Sequence, residues 1–248
     1  ELCEKASDAT GTAEQLANMA AILQAMGQLD QALEHLGRAA TLDRDADNKA
    51  ALAADFNALG ILCQQLNRPD EAIGHYNELI RLDPKDPEVY MARARAFSAK
   101  GDREKAIADY TEAIRLNPEY AEAYNNRGIA YAGKGQYDKA VADYSSAISM
   151  NPKNDKAYNN RGNAYWHQGN YEASLADYRK AIEINPRDPN AYYNLACRYS
   201  LRKDTPEACW WLERAVMKGF SNWEHMKKDG DLDSIRGAAC YTNIMKGK

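Results

Sequence analysis

The chain has 248 residues, 45% hydrophobic and 27% charged, with 32 basic against 36 acidic side chains and a formal charge of −4. That composition supplies ample apolar surface for a folded core. The near-balance of charge excludes a bulk electrostatic drive toward nucleic acid or anionic lipid, and the absence of any run approaching ~18 apolar residues excludes a membrane-spanning helix.

The first residues, Glu1-Leu2-Cys3-Glu4-Lys5, carry neither an apolar signal region nor an initiator Met, so the sequence reads as a trimmed piece or a fragment of a longer protein. Residues 1–12 contain the breakers Ser7, Asp8, Thr10 and Gly11 and read as a lead-in, the tail of a helix from an upstream repeat. From Ala13 to residue 46 a degenerate helical hairpin is expected: Leu16, Met19, Ala20 and Leu23 recur at helical spacing, Gly27 breaks the run, and Ala32, Leu36 and Ala39 resume it. Residues 47–52 are out of phase, and their Lys49-Ala50-Ala51-Leu52 is expected to lengthen the next helix at its start.

From Ala53 a fixed period of 34 residues holds through 53–86, 87–120, 121–154, 155–188 and a divergent 189–222. Pro84, Pro118, Pro152 and Pro186 keep that spacing, as do Tyr76, Tyr110, Tyr144 and Tyr178, and Phe56, Tyr90, Tyr124, Tyr158 and Tyr192. A period of this length means one supersecondary unit stacked on itself. In each copy an apolar stripe at i, i+3, i+4 and i+7 precedes a turn at Asn67, Gly101, Gly135 or Gly169, and a second stripe runs to an Asn-Pro or Asp-Pro stop. Asp86-Pro87 and Asp188-Pro189 supply an N-cap and a first-turn proline. After Asp204 the pattern weakens: Lys203 replaces the turn glycine and Trp210, Trp211 and Leu212 crowd the second helix. Residues 223–248 are expected to form a cap and tail. Phe220, Trp223, Met226, Leu232 and Ile235 would cover the last hairpin, with Tyr241 to Lys248 frayed.

These Tyr, Gly, Ala and Pro marks, recurring together, resemble the tetratricopeptide-repeat (TPR) family across nearly all of 13–222. The resemblance implies an all-α, right-handed α-solenoid of helix-turn-helix repeats with a C-terminal capping helix. Gly60, Ala94, Gly128, Gly162 and Ala196 would be small because one helix crosses its partner there. Arg93–Asp109, Arg127–Asp143 and Arg161–Asp177 read as ion pairs within a repeat, with His35 and His75 at the aspartate position of earlier copies.

No phosphate loop, zinc motif or nucleophile elbow is present, so no catalytic residue, cofactor or metal is expected. Asp229, Asp231 and Asp233 alternate as in the start of a calcium loop, but Ser234 stands where that loop needs glycine. The five cysteines are odd in number and irregularly spaced, without Cys-x-x-Cys, so they read as packing residues rather than zinc ligands or a disulfide framework. That reading favours a reducing, cytoplasmic setting.

The functional signal lies on a further stripe of each first helix, which in TPR stacks faces a concave groove. It carries Arg95, then Asn125 and Asn126, then Asn159, Asn160, Asn163, Trp166 and His167, then Tyr193 and Asn194, and these are the expected peptide contacts. An amide can bond both the N–H and the C=O of an extended peptide. Asn126, Asn160 and Asn194 lie 34 apart and resemble the asparagine ladder of the TPR arm of O-linked N-acetylglucosamine transferases, although Ala58 and Ala92 interrupt it earlier. The expected function is a non-catalytic scaffold for a protein or peptide partner. The alternatives are a substrate-selecting arm of a larger enzyme such as a glycosyltransferase, or a scaffold that associates with itself.

Overall fold

The computed structural model describes residues 2–246, with side chains from Thr10 onward, and every regular element among them is helical. In chain order these are α1 (Leu2–Ala25), α2 (Leu29–Asp45), α3 (Lys49–Gln65), α4 (Pro69–Leu82), α5 (Pro87–Lys100), α6 (Arg103–Leu116) and α7 (Ala121–Ala132). They continue with α8 (Tyr137–Met150), α9 (Asp155–His167), α10 (Tyr171–Ile184), α11 (Pro189–Leu201) and α12 (Thr205–Met217). The cap comprises α13 (Trp223–Lys228), a 3-10 helix (Gly230–Ile235) and α14 (Ala239–Met245). The chain divides within α7 into two compact units, residues 1–130 and 131–248.

Each unit is a succession of antiparallel hairpins in which a helix packs mainly on its sequence neighbours: α1 to α6 in the first, α8 to α12 in the second. The reasons are local. Asp86 and Asn154 cap their helices by accepting from the N–H of Glu88 at 2.8 Å and Ala157 at 3.0 Å. The turns at Gly101, Gly135 and Gly169 take φ of 85°, 71° and 79°, a region open to glycine, while Asn67 and Lys203 occupy the same turn at 56° and 60°. α1 runs unbroken from Leu2, so Ser7 to Gly11 do not interrupt it. α3 begins at Lys49, and both α2 and α3 have 17 residues against 14 in α5.

Side-chain packing explains the small-residue positions. A Cβ on Gly60 would sit 2.5 Å from Cε1 of Tyr76, and one on Gly162 would sit 3.0 Å from Cε1 of Tyr178. Both tyrosines are fully buried. Their hydroxyls donate to Oε1 of Gln64 at 3.2 Å and to Oδ1 of Asn163 at 2.6 Å, and the hydroxyl of Tyr110 meets Ser98 at 3.4 Å. Arg93 and Arg161 each form a two-pronged ion pair within the hairpin, to Asp109 at 2.7 Å and to Asp177 at 2.7 and 2.9 Å. Each also reaches back to the preceding helix, at Asn77 and Ser145 respectively.

Two expectations are corrected at the C-terminus. Cys209 and Cys240 form a disulfide between α12 and α14, so these two are not simple packing residues. Cys240 lies outside the 34-residue register, which is why the period gives no hint of its partner. The stretch from Tyr241 is not frayed as far as Met245: it continues α14, and Tyr241 is buried with its hydroxyl donating to the carbonyl of Met226 at 3.1 Å. Gly247 and Lys248 lie outside the described residues. The cap otherwise covers the last hairpin as expected, with Phe220, Met226, Leu232 and Ile235 buried against Leu195, Leu212 and Ala215.

Candidate functional site

In the second unit α11 and the cap enclose a recess of about 450 Å³, lined among others by Asn190, Asn194, Cys197, Asn222, His225 and Asp231. α11 supplies one wall because residues 190, 193, 194 and 197 share one helical face. The cap supplies the other, since α13 is capped by Asn222, which accepts from the N–H of His225 at 3.1 Å.

Asp229 is the hinge of this wall. Its Oδ2 accepts from the Tyr193 hydroxyl at 2.7 Å and from Cys197 Sγ at 3.6 Å, and its Oδ1 accepts from the N–H of Asp231 at 3.0 Å. Burial alone would raise its carboxyl, but these donors outweigh burial and hold it below the usual carboxylate range. Burial pushes the Tyr193 hydroxyl up, with the neighbouring Cys197 and Asp229 adding to the shift, and burial together with Asp229 does the same to the Cys197 thiol. Both therefore stay protonated and donating. Tyr193 also lies parallel to Phe220, with ring centroids 4.1 Å apart and 4° between planes. Arg198 donates to Asp231 at 2.9 Å and lays its guanidinium over Trp166 at 4.9 Å. Cys197, Asp229 and Asp231 bring one ligand atom each within 4.8 Å of one another. Each is already engaged by the hydrogen bonds above, and the Arg198 cation sits against Asp231, so the cluster fits a structural clasp rather than a cation.

The expected contact residues fall into different settings. In the second unit, Asn194 is half-buried and donates to Oδ1 of Asn159 at 3.0 Å, so the two amides are joined between α11 and α9. Asn160 is half-buried at the register of Asn194. Asn163 accepts from Tyr178. Trp166 packs at 4.4 Å on Tyr171 beneath Arg198, and exposed His167 stacks on Tyr137 at 4.6 Å. Tyr193 is buried by the cap. In the first unit, Arg95 is exposed, pairs with Glu122 at 3.4 Å and borders a recess of about 520 Å³ with Ile61 and Gln64. Asn125 and Asn126 are half-buried and in contact at 3.5 Å. Of the residues that the cap side contributes, Asn222 and His225 escaped the sequence reading because they follow no period, and Asp229 and Asp231 figure there only for their alternation. The alternating aspartates were the one visible signal.

Profiles described as tetratricopeptide repeat match residues 12–85, 91–155, 127–192 and 177–209. The chain belongs to the tetratricopeptide-repeat family. Among solved structures, this TPR chain is similar to MamA at 26% identity and a TM-score of 0.63, over 72% of this chain and 94% of that one. A TPR protein from Parabacteroides merdae aligns over 90% of this chain and 98% of its own at 20% identity, TM-score 0.69. YrrB, described as a TPR protein with an unusual peptide-binding site, aligns over 72% and 89% at 22% identity, TM-score 0.60. The last two likenesses concern the fold. Comparison with curated protein sequences gives no match. A tandem of TPR hairpins supports a protein-interaction scaffold, and no helix among the described residues is long and apolar enough to cross a membrane.

Proposed function

We propose that this TPR chain is a non-catalytic scaffold that holds an extended peptide segment of a partner protein, and that the recess between α11 and the cap is one of its contact sites. The observation that carries this reading is the convergence of side-chain amides there: Asn190, Asn194 and Asn222 line the recess, and Asn159 joins Asn194. Amides supply donors and acceptors together, which matches a peptide backbone regardless of its side chains. Arg95, Asn125 and Asn126 offer a comparable polar face in the first unit.

The test uses a 12-residue peptide selected from a random display library on the intact chain. Asn190→Ala with Asn222→Ser, a residue type that keeps the cap of α13, removes two amides that line the recess and should weaken its binding roughly 10-fold, about 1.4 kcal/mol, while leaving the melting temperature within a degree or so. Undiminished affinity in the double variant would refute the amide-based reading.

A further inference from the structure

The recess wall is tied to the disulfide through a short chain of contacts. Cys240 sits next to Tyr241 on α14. Tyr241 donates to the Met226 carbonyl at 3.1 Å and accepts from Nη1 of Arg236 at 3.1 Å. Arg236 in turn donates to the carbonyls of Lys227 at 2.5 Å and Asp229 at 2.9 Å. Thus the residue that clasps Tyr193 and Cys197 is held at its backbone by Arg236, and Arg236 is held in turn by Tyr241 of α14 and by Asp233, to whose Oδ1 it donates at 2.6 Å. α14 has only seven residues, too few to persist as a helix unaided; Tyr241, Ile244 and Met245 pack it against the core, and the Cys209–Cys240 bond is its covalent tie to α12.

We propose that the Cys209–Cys240 disulfide sets the shape of the recess, so that occupancy of this site is controlled by thiol–disulfide exchange. The binding half of the proposal rests on the peptide reading above; the structural half does not. Both cysteines are half-buried, which leaves the bond open to a small thiol. The thiolate of a low-molecular-weight thiol attacks one sulfur, forms a mixed disulfide and expels the other cysteine as a thiolate, which takes up a proton. A second small thiolate attacks the small-thiol sulfur of that mixed disulfide and expels the remaining protein cysteine as a thiolate, which also takes up a proton. The protein gains two protons and two electrons as paired thiols, and the small thiol leaves as its own disulfide. α14 then loses its covalent tie, Tyr241 withdraws from Arg236 and the Met226 carbonyl, the hold of Arg236 on the Asp229 backbone slackens, and the clasp on Tyr193 and Cys197 loosens. The 3-10 helix stays seated, because Ser234 bonds Ser200 at 2.7 and 2.8 Å independently of α14.

Buried Cys197 is the reporter and buried Cys63, in the first unit, the internal control. The full chain is treated with N-ethylmaleimide and the labelled positions are mapped by peptide mass. Cys197 should label at least 10-fold faster after dithiothreitol, and in Cys209→Ser with Cys240→Ser, while Cys63 keeps its rate. Tyr241→Phe, with the disulfide intact, should speed Cys197 labelling several-fold, which guards against a serine variant that fails to fold. The library-selected peptide should bind the reduced chain at least 10-fold more weakly. Equal Cys197 labelling in the oxidised and reduced chains overturns the redox control whatever the peptide does. Labelling that responds when the library yields no peptide upholds the control of the recess and discards the peptide.

Discussion

Asn194 donates through Nδ2 to Oδ1 of Asn159 at 3.0 Å, so the amides of two successive first helices are already linked before any peptide arrives. Asn159→Ala strands the half-buried amide of Asn194, and should lower the stability of the second unit by about 1 kcal/mol. All four tryptophans, Trp166, Trp210, Trp211 and Trp223, belong to residues 131–248, so their emission follows that unit alone. The check is the urea midpoint read by tryptophan fluorescence. An unchanged midpoint would mean the link does not persist in solution.

The Arg161–Asp177 pair has 18% and 9% of its side chains exposed, so neither charge can be rehydrated cheaply if the other is removed. Arg161→Leu and Asp177→Leu should each cost roughly 2–4 kcal/mol. The double variant should cost clearly less than the sum of the two. A double-mutant cycle by denaturant unfolding tests this, and strict additivity would show that the pair contributes no coupling.

In the first unit, buried Asp55 faces buried Asp43, and burial, then the neighbouring Asp43 charge, raises the Asp55 carboxyl from 3.8 to about 7. Asn48 donates to Asp43 at 3.0 Å, while Arg44 and His75 lie against Phe56 instead. A carboxyl that holds its proton more tightly when folded favours the fold fully below pH ~4 and loses that contribution as pH rises to ~7. The expected loss above pH 7 is on the order of 2–4 kcal/mol. Asp55→Asn should remove most of this dependence, making the variant the more stable protein at pH 8 and its equal near pH 4. Circular dichroism melts that tryptophan emission does not track are the readout, and parallel pH profiles for both proteins would contradict the prediction.

Reduction of Cys209–Cys240, which closes a loop of sequence separation 31, should lower the stability of the second unit by about 2–4 kcal/mol. Tryptophan-detected unfolding should shift to lower urea under reductant. The transition of the first unit, followed by circular dichroism, should stay in place. A common shift in both signals would mean that the two units unfold together.

The hairpins were legible because their chemistry repeats: Gly101, Gly135 and Gly169 mark the turn, and Arg161 finds Asp177 at a spacing that helix geometry dictates. What lay outside the repeat was not. Nothing in the period says that Asp229 closes on Tyr193, or that Cys240 reaches Cys209, since both contacts join a repeat to a segment without register. Within the repeat, side-chain stripes fix a face but not a partner. Asn163 falls on the expected stripe, yet the hydroxyl of Tyr178 from its own hairpin takes its oxygen. Gly11 illustrates a weaker limit, because a single glycine costs a helix only about 1 kcal/mol and α1 passes through it.

The buried tyrosine on the second helix of three hairpins carries a consequence for how such a chain can grow. Tyr76 answers to Gln64, Tyr110 to Ser98 and Tyr178 to Asn163, so the hydroxyl finds a different companion from copy to copy, always on the first helix of the same hairpin. Exchange of single helices between copies would orphan these hydroxyls, whereas duplication of an entire hairpin carries each donor along with its acceptor. The heritable module of this protein is therefore the pair.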